Sequence, residues 1–205
     1  KAWAPILSQS RPDAIVNCAG ALQDGARDDV VAVQSTAMQA LYASAASADG
    51  TRLRIVQISA PRADAGCDTA FMRTKGEADA ALRASGLDWT ILRPGLVISA
   101  QAYGGTALLR ALAATPFVLP MAYPDRRIQA VHVDDVAGAV LAVLDGRVPA
   151  LCTYDLVEDE PHSLADILRK VRGWLGFAPA REVHLPVALL AGVSAIADGL
   201  GWLGW

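Results

Sequence analysis

Ser59, Phe71 and Lys75 stand at spacings that let a hydroxyl, an aromatic ring and an ammonium converge on one place. Ser59 closes the run Arg52–Ala60, in which Ile55, Val56 and Ile58 are β-branched and Pro61 ends the segment, so the run reads as a parallel strand buried on both faces. In open parallel sheets ligands bind beyond the carboxyl ends of the strands, so a hydroxyl at Ser59 is placed to touch a cofactor or a substrate; a serine that merely ends a strand would carry no chemistry. Phe71 and Lys75 lie four apart in the next segment, 69–85, whose apolar stripe continues through Ala78 and Leu82. The spacing predicts a helix with both residues on one face. After a helix stop at Gly86, residues 88–97 predict a second buried strand that runs into Arg93-Pro94-Gly95 and Val97.

The elements that must position these groups alternate strand and helix. Trp3, Ile6 and Leu7 give the first residues helical spacing, and Asp13–Gly20 predicts a buried strand ending in small residues. Ala19 and Gly20 leave that backbone uncovered, which suits close approach of a nucleotide and equally suits tight packing. Asp28 and Asp29 open a helix through Ala46 with Val30, Val33, Ala37, Leu41 and Ala45 on its packed face, while Asp24 and Arg27 belong to a solvated cap. Further on, Tyr103-Gly104-Gly105 opens a helix to about Ala114, residues 116–120 form an apolar loop, and 124–127 a turn. Residues 128–133 predict a strand, Asp134 and Asp135 start a helix to Leu144, and 151–157 predict another strand. Ser163 caps a helix through Trp174, and Glu182–Leu185 forms a short extended link.

A serine at a strand end with an aromatic-x-x-x-Lys helix resembles the Ser and Tyr-x-x-x-Lys constellation of the short-chain dehydrogenase/reductase superfamily, with Phe71 in the tyrosine position. Arg93-Pro94-Gly95-x-Val97 resembles the stretch that passes beside the nicotinamide in its extended and atypical branches. Asn17-Cys18-Ala19-Gly20 resembles the Asn-Asn-Ala-Gly turn, and His132-Val133-Asp134-Asp135-Val136 resembles a block of the extended members, read here as architecture. The resemblance implies an α/β fold, a Rossmann-like doubly wound parallel sheet over residues 1–149 with a small C-terminal α/β substrate lobe over 150–205. It implies NAD or NADP as cofactor, Lys75 on the nicotinamide ribose, Ser59 facing the substrate, and Ala19, Gly20, Pro94, Gly95 and Val97 along the cofactor. Gly95 would leave room for the flat ring.

Family enzymes use the tyrosine phenol as proton donor or acceptor, and the phenyl ring of Phe71 has no proton to give. Two functions therefore stay open. One is an NAD(P)-dependent oxidoreductase or epimerase acting on an unknown small molecule, with Ser59 and Lys75 catalytic. The other is a non-catalytic nucleotide sensor or assembly subunit, as among NmrA-like regulators and an accessory subunit of respiratory complex I. Phe71 itself, Tyr103 as a rival acid, and Arg126 and Arg127 as holders of an anionic substrate are weaker substrate-site candidates. No G-x-x-G-x-x-G phosphate loop occurs, and the first residue is Lys1, so the chain reads as N-terminally trimmed relative to the superfamily, lacking its first three strands.

With 205 residues, 53% of them hydrophobic, the chain can bury a sizeable core. A net charge of -3 and the lack of a dense Lys/Arg cluster give no reason to expect nucleic acid. Cys18, Cys67 and Cys152 are odd in number and widely spaced, and His132, His162 and His184 are scattered, which points to a reducing, cytoplasmic setting and to no metal. The last residues, from Leu185, are apolar enough to approach a spanning length of about 20 residues. Pro186, Asp198 and four glycines argue instead for a helix packed against the lobe, while Trp202 and Trp205 suit an interface, so membrane association is expected only through sequence beyond residue 205.

Overall fold

The computed structural model describes residues 3–25, 28–47, 53–102 and 104–186. In chain order the elements are α1 (Trp3–Ser10), β1 (Ala14–Asn17), a π-helical turn (Ala32–Thr36) running into α2 (Ala37–Ala46), β2 (Arg54–Ile58), α3 (Ala70–Ala84), β3 (Asp88–Pro94) and β4 (Leu96–Ile98). They continue as α4 (Gly105–Ala113), β5 (Val118–Met121), β6 (Arg127–Ile128), β7 (Ala130–His132), α5 (Val133–Leu144), β8 (Cys152–Leu156), β9 (His162–Ser163), α6 (Leu164–Trp174) and β10 (Arg181–His184). These fall into two compact units, one made of the chain up to Pro94 plus Asp134–Leu156, the other of Gly95–Val133 plus the chain from Val157.

The first unit is built on a four-stranded parallel sheet in the order β1-β2-β3-β8. Alternation along its strands sends side chains to opposite faces. Ile55, Trp89 and Ile91 pack with Leu7, Leu41, Tyr42 and Leu82 from α1, α2 and α3. Val56 and Leu92, one residue out of phase, pack with Val143 of α5. Helices thus cover both faces, as a doubly wound parallel sheet requires and as the β-branched, doubly buried strands of the sequence predict. Gly86, at φ +72, ends the chain's turn out of α3 as expected.

The second unit has shorter pairings: β5 with β10 and β4 with β7, both parallel, and β6 with β9, antiparallel. Its core gathers Ala113, Leu119, Met121, Ala165 and Leu168. Ser163 and Asp166 form the capping box of α6, each satisfying the other's backbone N–H. Arg172 is buried, with Nη1 donating to the carbonyls of Ala113 (2.7 Å) and Thr115 (2.9 Å), so this guanidinium ties α6 to the end of α4.

Three expectations need correction. A cut near residue 150 does not separate the units, because β8 extends the first sheet by pairing with β3, Leu92 lying opposite Tyr154. Residues 118–120, expected within the loop 116–120, belong to β5; Pro120 is tolerated because a two-stranded pairing leaves an edge where a missing N–H costs nothing. Residues 128–133 are interrupted at Gln129, which separates β6 from β7. The apolar C-terminal stretch, apart from Leu185 and Pro186, lies outside the described residues, as do Arg27, Arg52 and Tyr103.

Candidate functional site

The site is assembled at the carboxyl ends of β1, β2 and β3 in the first unit. Asn17, the last residue of β1, is buried and works in two directions. Its Oδ1 accepts the N–H of Ala19 (3.0 Å), folding the following turn, while its Nδ2 donates to Oε1 of Gln57 (2.6 Å). The same Gln57 oxygen accepts from the Tyr42 hydroxyl (2.7 Å), and burial pushes the Tyr42 phenol well up, keeping it a donor. This network fixes where the Ala19 carbonyl points.

That carbonyl accepts from Lys75. Nζ of Lys75 donates to the Ala19 carbonyl (2.9 Å) and the Ile58 carbonyl (3.0 Å), which places the ammonium between the ends of β1 and β2. Only 5% of Lys75 is exposed. Burial lowers its pKa, opposed by the charges of Asp79 and Cys18. A Cβ on Gly20 would lie 3.4 Å from Nζ, so the glycine keeps the backbone bare beside the ammonium. The next residue on α3, Gly76, lets the chain at Asp64 and Ala65 lie against the helix, since a Cβ there would fall 2.3 Å from the Asp64 carbonyl carbon.

Ser59, just past β2, is also buried, and its Oγ donates to Oδ2 of Asp79 (2.8 Å). Arg93 donates through Nη2 to the same oxygen (2.9 Å) and to the Ala63 carbonyl (3.1 Å). Asp79 is wholly buried, and that burial raises its pKa against the hydrogen bonds of Arg93 and Ser59 and the charges of Arg93 and Arg83. Among the described residues, Oδ1 of Asp79 and Nε of Arg93 have no hydrogen-bond partner. Ser59, Asp79 and Arg93 thus form one buried polar cluster at the ends of β2 and β3.

Of the residues singled out from the sequence, Ala19, Gly20, Ser59 and Pro94 lie in this unit at or just past strand ends, Lys75 reaches them from α3, and Phe71 is half-buried one turn before Lys75 on that helix. Ser59 and Lys75 are both engaged internally, one by a carboxylate and the other by main-chain oxygens. Gly95 and Val97 belong to the second unit. The bare α-carbon of Gly95 has a structural reason within that unit: a Cβ would meet the Gln129 carbonyl at 2.4 Å, the oxygen that accepts from the N–H of Leu96. Val97 lies in β4 opposite Val131. Arg126 and Arg127 are exposed in the second unit beside and within β6. Asn17 enters the sequence reading only as part of the Asn17–Gly20 turn and Asp79 only through its spacing, four residues after Lys75 in the helix that also buries Ala78 and Leu82; neither was given a role in the site.

A family model described as NAD(P)H-binding matches residues 10–147, more than half of the chain. The chain belongs to this NAD(P)H-binding family. No curated protein matches it. Among solved structures it is similar to the Bordetella bronchiseptica enzyme WbmG in complex with NAD and UDP, with a TM-score of 0.72 at 15% identity over 90% of this chain and 64% of that one. It is similar also to a dTDP-4-dehydrorhamnose reductase from Clostridium acetobutylicum (TM-score 0.71, 18% identity, 89% of this chain and 68% of that one). A UDP-glucose 4-epimerase from Thermotoga maritima gives a TM-score of 0.70 at 15% identity over 89% of this chain and 67% of the other. At such identities the likeness shows a shared fold, that of epimerase- and reductase-type dinucleotide enzymes. The chain spans about two thirds of the length of the structures it matches.

The first unit fits the NAD(P)H of its family in one observable respect: an ammonium is held next to a glycine that keeps the backbone open, at the sheet end where nucleotides bind. Among the described residues no group of His, Cys, Asp and Glu suits a metal ion, and no helix is long and apolar enough to cross a membrane.

Proposed function

We propose that the protein binds NAD(P)H with Lys75 at the nicotinamide ribose and acts as an oxidoreductase or epimerase on a small molecule. The observation that carries this reading is the buried ammonium of Lys75, held at the ends of β1 and β2 beside Gly20. An ammonium with three donors that spends two on main-chain carbonyls keeps one for a ribose hydroxyl. The Asn17, Gln57 and Tyr42 network supports it by fixing the Ala19 carbonyl, and so the direction of that third donor.

Bound NAD(P)H supplies a hydride, and a reduced carbonyl oxygen must then take up a proton. Phe71 offers none. Ser59 is the nearest hydroxyl in the sequence motif, but its proton points to Asp79, so turnover would need Ser59 to turn toward substrate while Asp79 takes its remaining bonds from Arg93. That commitment of Ser59, together with Phe71, favours a second reading in which the nucleotide is bound and sensed without turnover.

Calorimetric titration with NADH and NADPH, followed by a turnover screen over carbonyl and quinone substrates, tests both. Saturable binding that falls about tenfold or more in Lys75→Met, the loss of one charge-assisted hydrogen bond, is the expected result. Unchanged affinity in Lys75→Met would remove Lys75 from the cofactor, and tight binding without any turnover would select the sensor.

A further inference from the structure

The second unit holds a cavity of about 530 Å³ that has no part in the reading above. Its wall is mainly apolar: Ile98 beside β4, Leu109 of α4, and Ile167, Val171 and Trp174 of α6. Trp174 is 63% exposed, an unusual state for so large a ring, and Arg110 lies over it with its guanidinium carbon 4.7 Å from the ring centroid. Arg110 is itself committed, donating to the carbonyls of Ser99 and Ala100 that form the adjoining rim. It shapes the wall.

Besides Arg110, the titratable groups of the lining are His132, Glu158, His162 and Lys170, of which Lys170 is exposed and marks the cavity's solvent side. Nε2 of His162 lies 3.1 Å from Nζ of Lys170 and 3.2 Å from Oε2 of Glu158. One ring nitrogen cannot accept from Lys170 and donate to Glu158 at the same time. In either state of the ring, one of these two contacts is not a hydrogen bond. An oxyanion that accepts from Lys170 removes the conflict, because Nε2–H is then given to Glu158 alone. The rest of the cavity offers a ligand mainly hydrocarbon and an open aromatic face, within the size range of small-molecule sites.

We propose that this cavity binds an amphiphilic carboxylate, a mainly apolar molecule whose single anionic head sits at the mouth against Lys170. Ser99, Thr106 and His132 are the further polar side chains of the lining, but the surface it presents is mainly apolar, which suits a mainly hydrocarbon molecule better than a sugar nucleotide with its several hydroxyls and two phosphates. The inference is independent of dinucleotide binding, and its test is run without cofactor.

Decanoate, decanol, decyltrimethylammonium and UDP, each below any micelle threshold, are titrated into the protein by calorimetry and by tryptophan fluorescence. Decanoate should bind saturably, roughly tenfold more tightly than decanol, and change a fluorescence signal that Trp174→Phe removes. Lys170 is exposed, so Lys170→Met should leave the fold intact, bring decanoate down to the affinity of decanol and leave decanol unmoved, while Lys170→Arg restores decanoate. Equal or tighter binding of the cationic amphiphile or of UDP, or decanoate affinity indifferent to Lys170→Met, overturns the proposal. So does decanoate binding that appears only when the chain is cut after Pro186, which would make the apolar C-terminal stretch the natural occupant.

Discussion

A lysine taken out of water keeps its charge only where oxygens replace the lost hydration, and Lys75 finds two of them at the ends of neighbouring strands. Asp79 is less well served, with one oxygen shared by Ser59 and Arg93 and the other unpartnered among the described residues. Because burial raises the Asp79 pKa, the native state binds a proton there more readily than the unfolded chain does. The stability this contributes is present below the ordinary carboxylate range and is lost as pH rises through the raised value. The melting temperature of the wild type relative to Asp79→Asn should accordingly fall as pH is raised through that window. A difference that grows with pH would mean instead that Arg93 holds the carboxylate ionised below its usual range. Phe71 gives the complementary prediction. If it stands where family enzymes carry the phenol, Phe71→Tyr should create slow NAD(P)H-dependent carbonyl reduction, since a positioned general acid contributes about 10² to 10⁴-fold; steady-state rates no higher than wild type across the substrate screen would reject the placement. Ser59 and Lys75 were legible because strand ends and four-residue helix spacing are local features. Asp79 was not, because an acid four residues from a lysine reads as a solvated pair until the sheet that buries it is known.

The helix α3 was the most legible element, its ends at Thr69 and Ser85 marked by a change of pattern and by Gly86. Its hidden feature is Gly76. Adding a methyl there would set it 2.3 to 2.6 Å from main-chain atoms of Asp64 and Ala65, and main chain cannot swing aside as a flexible side chain can. Gly76→Ala should therefore destabilise the fold by about 1 to 3 kcal/mol, the usual cost of overpacking, although alanine favours helix. Urea unfolding measures it, and a stabilised variant would show that the 64–65 segment does not lie against α3. Elements of the second unit were harder to read. Residues 88–97 look like one strand in the sequence, yet Gly95 divides β3 from β4 where the Gln129 carbonyl presses in. The prolines at 116 and 120 disguised β5, because a proline argues against a central strand and says nothing against an edge.

The chain passes out of the first unit at Gly95, returns at Asp134 and leaves again after Leu156, so each unit is made of segments distant in sequence. The family resemblance implies a single cut near residue 150; the division depends instead on which strands pair, above all β8 with β3. The two proposed sites, one in each unit, would give this division a functional meaning that hydrogen exchange can read. A ligand slows exchange where it suppresses local opening, and protection spreads through the cooperative unit to which its site belongs. NADH should protect amides around Asn17, Ile58 and α3, held together by the Lys75 and Asn17 hydrogen bonds. Decanoate should protect α4 and α6, which share the cavity wall and the core of Ala113 and Leu168, and leave β1 and β2 at their ligand-free rates. If both ligands gave one footprint over the whole chain, the two units would open as one, and the discontinuous division would describe contacts without describing cooperativity. Separate footprints would show that a chain crossing three times between two units still keeps their stabilities apart.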